Sequence, residues 1–170
     1  MFKHRKILIA IVFLITSIIA IIILRNYVFE IAITSGESME PIILSGDHVL
    51  INRLSYKSQE PKIGDIIAIK LGYVMMIKRI LGTPGDVIEI RNGYLYLNGK
   101  LVDNEQLNMP DKIRKNIKSI KVWDKHLYVI GDNREYSEDS RDFGLVTYDH
   151  IVGKAVFIYF PFGRMRKMKN

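Results

Sequence analysis

Three polar segments of the sequence carry side chains whose types are suited to chemistry. Ser38 lies in the turn of residues 35–41, Lys78 lies inside the apolar run 73–81, and residues 131–144 are rich in Asp, Asn, Ser and Arg. A serine hydroxyl needs an adjacent base to become a good nucleophile, and a desolvated lysine can be that base. Taken singly, however, the first and third segments are also typical of well-bonded polar loops, and neither alone specifies a reaction.

Lys78 is the most informative of these residues. In a strand the side chains alternate, so Lys78 would share its face with Val74, Met76 and Ile80. A lysine on an apolar face costs free energy unless it is paired, reaches water or is neutral. Neutrality at pH 7 requires the pKa to fall by roughly three units, or about 4 kcal/mol, which burial can supply. An edge strand from which Lys78 and Arg79 both reach water is an equal alternative at this point.

The sequence offers no pattern for a metal, a nucleotide or another cofactor. It has no cysteine, and its four histidines include no close ligand pair. The glycine-containing segment 82–86 lacks the Lys-Ser/Thr pair of a phosphate loop. We therefore predict no metal site and no cofactor. We expect surface or packing roles for the histidines, which are His4, His48, His126 and His150.

The elements that must position these side chains are mainly strands. Asn92-Gly93 and Asn98-Gly99 predict two-residue hairpin turns. Isoleucines 113, 117 and 120 recur at helical spacing, which favours a short helix at 112–121, with a basic loop or strand edge as an equal alternative. The predicted fold is mainly β, an antiparallel β-sheet domain on a single N-terminal transmembrane helix. Short apolar runs bounded by turn residues predict strands at 48–53, 65–70, 73–81, 87–91, 94–97, 100–102, 127–130 and 154–160.

The first part of the chain is typical of a membrane anchor. In the run 7–24 only Thr16 and Ser17 are polar, and at 1.5 Å per residue a helix there would reach about 27 Å. A cleavable signal peptide usually has a shorter apolar region with small residues before the cut. Three bases precede the run and one follows it, which places the amino terminus in the cytoplasm. We predict a cytoplasmic leader at 1–6, an uncleaved anchor at 7–24, an extracytoplasmic domain at 27–163 and a basic tail at 164–170.

The net charge of +7 comes from the two ends of the chain. Eight of the 25 basic residues lie in the first 25 residues or in the tail, and the remaining 17 nearly balance the 18 acidic residues. A basic groove for nucleic acid is therefore not supported. Contact with anionic lipid headgroups is one hypothesis for the tail.

Four stretches of the sequence, in this order, resemble bacterial type I signal peptidases. They are SGESMEP at 35–41, GDHVLINR at 46–53, IKRILGTPGD at 77–86 and GDNREYSEDSRDFG at 131–144. Members of that family are membrane-anchored serine proteases that remove signal peptides from exported proteins. The single anchor and the short chain resemble the compact Gram-positive form.

The resemblance implies a Ser/Lys dyad that acts through an acyl-enzyme. Ser38 would be the nucleophile, Lys78 the general base, and the backbone N–H of Ser38 an oxyanion donor. Gly36 stands where some members carry a serine that donates a second hydrogen bond to the oxyanion, so the resemblance supplies no second donor here. Supporting roles, in orienting Lys78 or bracing the third segment, are implied for Ser137, Asp139, Arg141, Asp132 and Asn133.

The resemblance also implies the substrate, an exported preprotein whose signal peptide carries small side chains at positions −1 and −3. Such a peptide would pair with an exposed strand, and Met39, Ile42 and Met76 are candidates for the walls of its pockets, with core packing as the alternative for each. The expected location is the cell membrane, in contact with lipid. Two other functions are alternatives. One is a catalytically silent, membrane-tethered module that binds exported peptides for assembly. The other is a self-cleaving repressor, for whose DNA-binding domain the first 25 residues leave no room.

Overall fold

The apolar run near the amino terminus is helical. The computed structural model describes residues 2–23, 27–102 and 116–168. Helix α1 spans Phe2–Ile23, and its stretch Arg5–Ile23 has a mean hydropathy of 3.0 and no buried side chain. By length and composition this stretch is able to cross a membrane. The predicted end of the anchor at Leu24, and Arg25 after it, lie outside the described residues.

The rest of the described chain is mainly antiparallel sheet, as predicted, with one short helix, α2, at Ser140–Phe143. The strands are β1 Phe29–Ile33, β2 His48–Asn52, β3 Ile66–Leu71, β4 Val74–Gly82, β5 Val87–Arg91, β6 Tyr94–Leu97, β7 Lys100–Leu101, β8 Ile117–Lys121, β9 His126–Ile130, β10 Val146–Thr147, β11 Ile151–Phe160 and β12 Arg166–Lys167. The larger sheet has the strand order β1-β2-β11-β3-β4-β9-β10, with β12 paired to β11, and the smaller has the order β7-β6-β5-β8.

The two Asn-Gly pairs form the turns that connect β5, β6 and β7. Asn92 and Gly93 have φ values of 50° and 83°, and Asn98 and Gly99 have φ values of 53° and 77°. Two successive residues with positive φ are what a two-residue hairpin turn requires, because its twist then matches that of the strands. The predicted meander is confirmed.

For the described part of residues 112–121, the predicted helix is wrong and the alternative of a strand edge is confirmed, because Ile117–Lys121 forms β8 at the edge of the smaller sheet. Ile117 pairs with Ile90 and Ile120 pairs with Ile88, with a register shift between them. Because of this irregularity, two isoleucines three positions apart both pack against the core cluster of the smaller sheet. The spacing therefore imitated a helical pattern. Residues 112–115 lie outside the described part of the chain.

Apart from β8, three strands were not predicted. β1 begins shortly after the predicted anchor, and its apolar residues look like a continuation of the apolar run. β10 and β12 have only two residues each, too few for a periodic signal. β12 lies within the predicted basic tail and pairs with β11 through Arg166 and Lys167.

A hydrophobic cluster on the larger sheet supports the loop between β1 and β2. Met39 and Ile43 of that loop are 4% and 1% exposed, and they pack with Ala32, Ile66 and Ile77 from the strands. Two buried anchors on one loop fix its position against the sheet. The loop that carries Ser38 is therefore held by the core.

Candidate active site

Ser38 lies in the loop between β1 and β2, and this loop is closed by its own hydrogen bonds. The Thr34 hydroxyl donates to the carbonyl of Leu44 at 2.6 Å, and the N–H of Ile43 donates to the carbonyl of Met39 at 2.8 Å. Within the described residues, neither the hydroxyl nor the N–H of Ser38 has an intramolecular hydrogen-bond partner. Both groups are left available for another molecule.

Lys78 is buried in the middle of β4, where its backbone pairs with Ile67 of β3. The residue is 3% exposed, and Nζ donates a hydrogen bond of 3.2 Å to the hydroxyl of Ser137. Burial lowers the pKa of the Lys78 ammonium, and the nearby charge of Asp139 offsets only part of this effect. The alternative of an edge strand with Lys78 and Arg79 in water is wrong, because Arg79 is 1% exposed. Lys78 therefore has the environment that favours a neutral amine.

A chain of hydrogen bonds orients the Lys78 amine. The Ser137 hydroxyl accepts from Lys78 and donates to Asp139 Oδ2 at 2.7 Å. Asp139 is fully buried, and Arg141 binds it through Nε at 2.7 Å and Nη2 at 2.8 Å. Asp139 also caps α2 and accepts the N–H of Gly131 at 3.0 Å. These bonds place the Ser137 oxygen at a fixed point beside Lys78.

Asp132 and Asn133 join β4 and the Ser38 loop to the segment that follows β9. Asp132 accepts two hydrogen bonds from Arg79, of 2.7 and 2.8 Å, and Arg79 also donates to the carbonyl of Gly64 at 2.9 Å. The N–H of Asn133 donates to the Ser38 carbonyl at 3.1 Å. Residues that follow β9 therefore contact the Ser38 loop and the strand of Lys78 at the same time.

Gly131 allows the closest approach in this region. A Cβ built on Gly131 would overlap the hydroxyl oxygen of Ser137 and the carbonyl oxygen of Ser38. Only a residue without a side chain leaves room for both oxygens. Gly131 was not predicted as a site residue. Its place at the end of an apolar strand and before a polar loop was the only signal for it.

Ser38 and Lys78 both line one cleft of about 260 Å³. There is no direct hydrogen bond between the two side chains in this structure. The remaining lining residues come from the end of β1, from the loop after it and from the first half of β4. They are Ala32, Ile33, Thr34, Ser35, Gly36, Met39, Ile43, Val74, Met75, Met76 and Ile77.

Comparison with known proteins agrees with the pattern of these residues. The family model described as "Signal peptidase, peptidase S26" matches residues 6–160 of the chain. The chain belongs to the S26 signal peptidase family. It is 34% identical to signal peptidase I S of Bacillus subtilis, over 91% of this chain and 89% of that protein. It is also 34% identical to signal peptidase IB of Staphylococcus aureus, over 95% of this chain and 91% of that protein.

One solved structure that resembles this signal peptidase family member is that of signal peptidase I from Enterococcus faecalis V583. The identity is 28% and the TM-score is 0.48, and the match covers 56% of this chain and 97% of that one.

One expectation for the cleft of this family member turns out differently. Met39 and Met76 line it, whereas Ile42 does not: Ile42 packs against the core, and its carbonyl accepts a hydrogen bond from Arg166. Gly36 lines the cleft with φ of 96°, and its N–H donates to the Ser45 hydroxyl at 3.4 Å. Gly36 has no side chain to serve as a second oxyanion donor.

The three histidines whose side chains are described contact aromatic rings or a hydroxyl group. His48 contacts Tyr159 and Phe160, His126 contacts Trp123, and His150 bonds to Thr147. No group of three His, Cys, Asp or Glu residues is arranged to hold a metal within residues 2–23, 27–102 and 116–168. The side chain of His4, in the predicted leader, lies outside the described part of the structure.

Proposed function

We propose that this protein is a membrane-bound serine endopeptidase that removes signal peptides from exported preproteins, with Ser38 as nucleophile and Lys78 as general base. The observation that carries the proposal is the environment of Lys78. This lysine is buried, it faces the same cleft as Ser38, and a serine rather than a carboxylate is its hydrogen-bond partner. A structural lysine in a protein core would need a counter-charge at that place.

In the proposed reaction, the lone pair of the neutral Lys78 amine accepts the proton of the Ser38 hydroxyl. Oγ of Ser38 attacks the carbonyl carbon of the scissile peptide bond and forms a tetrahedral intermediate. Lys78 then gives the proton to the leaving amine, which leaves an ester on Ser38. A water molecule, deprotonated by Lys78, then attacks the ester carbon. As the bond to Ser38 Oγ breaks, Lys78 gives the proton to Oγ, which releases the acid and returns the enzyme to its first state.

The backbone N–H of Ser38 is the proposed donor to the oxyanion. This N–H has no hydrogen bond within the described residues, and the Ser38 carbonyl accepts a hydrogen bond from the N–H of Asn133. A fixed donor aimed at the developing charge contributes about 3–4 kcal/mol in comparable sites. Asn133 thus supports the oxyanion site through the backbone of Ser38.

An extended substrate would pair with the strands that border the cleft. Among the described residues, β1 pairs only with β2, and residues 74–78 of β4 pair only with β3. Each has a free edge, and an extended peptide added to such an edge forms backbone hydrogen bonds along it. Side chains at −1 and −3 would point to the same side, into pockets walled by Met39 and Met76. Small residues fit because the cleft is only about 260 Å³.

The proposed orientation places the leader in the cytoplasm and the catalytic domain outside. The chain has no cysteine, so a single introduced cysteine reports its own side of the membrane. In intact cells, we expect a membrane-impermeant maleimide to label Lys57→Cys, which is exposed in the domain, and to label Lys3→Cys only after permeabilisation. The opposite pattern would reverse the proposed topology.

The central experiment is cleavage of a preprotein by the purified full-length chain in detergent. We expect Ser38→Ala and Lys78→Ala each to lower the cleavage rate by at least about a hundredfold, the scale on which general-base catalysis operates. The matched controls are Ser58→Ala and Lys57→Ala, which remove the same groups from exposed positions. Undiminished cleavage by either site variant contradicts the proposal.

The same experiment separates the peptidase from a silent binding module. If the protein is such a module, the wild-type chain will bind the signal peptide and release it uncut. Peptide binding without turnover by the wild-type chain would therefore replace the proposed function with the binding role.

A further inference from the structure

Residues 164–168 of the predicted basic tail fold back onto the domain, and Arg164 binds a buried carboxylate there. Nε and Nη2 of Arg164 donate to the two oxygens of Asp47, each at 3.0 Å. Asp47 is 1% exposed and closes the loop that carries Ser38. Its Oδ2 also accepts the N–H of Leu44 at 2.9 Å. Two parallel bonds between a guanidinium and a carboxylate fix the relative position of the two groups.

Two further contacts join the tail to the same loop. Nη2 of Arg166 donates to the carbonyl of Ile42, and β12 pairs with β11 through residues 166 and 167. Met168 is 7% exposed and belongs to the hydrophobic cluster that contains Met39 and Ile43. Its N–H donates to the carbonyl of Val156 at 2.9 Å. The tail thus contacts the loop by charge, by hydrogen bond and by packing.

We propose that residues 164–168 are a clasp that positions the nucleophile, with Arg164 and Arg166 as positioning residues for Ser38. The inference rests on the proposed function, in which Ser38 attacks the substrate. The clasp binds the loop on the carboxyl-terminal side of Ser38, while Asn133 holds the Ser38 carbonyl. Together they constrain the loop from two separate elements.

The Arg164–Asp47 contact persists at neutral pH. Burial raises the pKa of the Asp47 carboxyl, but the hydrogen bonds from Arg164 and from the N–H of Leu44 more than offset this, so the pKa lies below its ordinary value of 3.8. The hydrogen bond to Asp47 raises the pKa of the Arg164 guanidinium. Removing Arg164 would leave a buried, charged carboxylate without the guanidinium that binds both of its oxygens, and the loop would have to move to hydrate it.

This role differs from the lipid contact that charge alone suggested for the tail. Two of the tail's basic side chains have partners inside the domain, whereas Lys167 is exposed. A clasp acts on the loop wherever the enzyme is, and a lipid contact acts only at an anionic membrane. The two ideas therefore predict different dependence on lipid.

The test compares Arg164→Ala and Arg166→Ala with Lys167→Ala, which removes the same charge from the same tail segment. A synthetic signal peptide is cleaved by the full-length chain in neutral detergent and in liposomes with anionic lipid. Because a misplacement of about 1 Å can cost about a hundredfold in rate, we expect kcat of Arg164→Ala to fall by about tenfold to a hundredfold, with little change in KM. We expect the fall to be equal in both media, and Lys167→Ala to match the wild type.

A second measurement follows the loop without using activity. Amide hydrogen exchange of residues 36–47 should accelerate at least about tenfold in Arg164→Ala, with the β3 and β4 amides unchanged. Arg164→Lys keeps the charge but not the two parallel hydrogen bonds. Its loop exchange and its kcat should therefore lie between those of the wild type and those of Arg164→Ala. If Arg164→Ala fails to fold, the comparison of Arg164→Lys with Lys167→Ala decides the question.

Several results would overturn the clasp. They are a loss of kcat confined to anionic liposomes, equal effects of Arg164→Ala and Lys167→Ala, and unchanged exchange of the loop. An inactive wild-type chain would refute the proposed function instead. In that case, the exchange of residues 36–47 would still decide whether the tail holds the loop.

Discussion

Two neighbouring basic side chains on β4 are both buried, but their hydrogen-bond partners differ. Lys78 is 3% exposed and Arg79 is 1% exposed. Arg79 has two hydrogen bonds to the carboxylate of Asp132 and a third to the carbonyl of Gly64. Lys78 has one, to the hydroxyl of Ser137, and the nearest carboxylate in that chain, Asp139, is already bound by Arg141. Alternation along the strand sends the two side chains to opposite faces.

This difference distinguishes a buried charge that stabilises the fold from a buried amine that is able to lose its proton. A guanidinium is planar and always protonated, so burial demands the paired carboxylate that Asp132 supplies. An amine can lose its proton when burial is not compensated, and it then becomes a base. The hydrogen-bond partner, rather than the degree of burial, decides whether a buried basic side chain stays charged. Each of the following predictions alters one side of this comparison.

The largest expected effect comes from giving Lys78 the character of Arg79. In Lys78→Arg the proposed base is replaced by a permanently charged group, and in Lys78→Met it is absent. We expect each variant to lower kcat by roughly a thousandfold, or about 4 kcal/mol in the activation barrier. The measurement is single-turnover cleavage of a preprotein.

Lys70 provides the matched control for these two variants. It is an exposed lysine on the neighbouring strand β3, and Lys70→Arg and Lys70→Met should cleave at the wild-type rate. Activity of Lys78→Arg close to that of the wild type would show that a neutral amine at this position is not needed.

The next effect comes from removing the partner of Arg79. Asp132→Asn leaves a guanidinium buried against a neutral amide, and we expect a loss of about 3–5 kcal/mol in the free energy of unfolding. Arg79→Met/Asp132→Leu removes both charges and should lose much less. Denaturant unfolding followed by circular dichroism measures both values. If the double variant were as unstable as the single one, the pairing of the charges would not be the cause.

A smaller effect is expected from Ser137→Ala, which removes the hydrogen-bond partner of the Lys78 amine. The lysine stays buried but is no longer oriented, so kcat should fall by about tenfold to a hundredfold while KM changes little. Ser140 is the matched control. It is a buried serine of the same segment whose hydroxyl accepts the N–H of Val129 at 2.9 Å. Ser140→Ala should lower the melting temperature but affect kcat less than Ser137→Ala; the reverse order would contradict an orienting role for Ser137.

Much of the fold and of the candidate site could be predicted because the signals are local. Strand alternation is enough to place Lys78 on an apolar face, and the Asn-Gly pairs are enough to place the hairpin turns. Motif order linked Ser38, Lys78 and the segment 131–144, which the structure brings together through Asn133 and Ser137.

The remaining features depend on contacts between distant parts of the chain. Arg79 and Asp132 are 53 positions apart, and no local pattern shows that they meet. Arg164 and Asp47 are 117 positions apart, so the tail looked like a free basic end. The register shift in β8 changed the meaning of an isoleucine spacing that is otherwise typical of a helix. Periodicity describes one element at a time and is silent about its partners.

The smallest expected effect is a dependence of stability on pH that belongs to Lys78 alone. Burial lowers its pKa in the folded state below the ordinary value of 10.5, so between these two pKa values the unfolded chain binds more protons than the folded one. The free energy of unfolding therefore rises with pH in that window, by at most about 1.4 kcal/mol per pH unit for one proton.

Lys78→Met has no such proton, so its melting temperature should exceed that of the wild type most at the acidic end of the window. The excess should shrink as the pH approaches 10, and the cleavage rate of the wild type should rise over the lower part of the same window as Lys78 becomes neutral. A difference in melting temperature that stays constant across the window would mean that Lys78, like Arg79, remains charged in the fold.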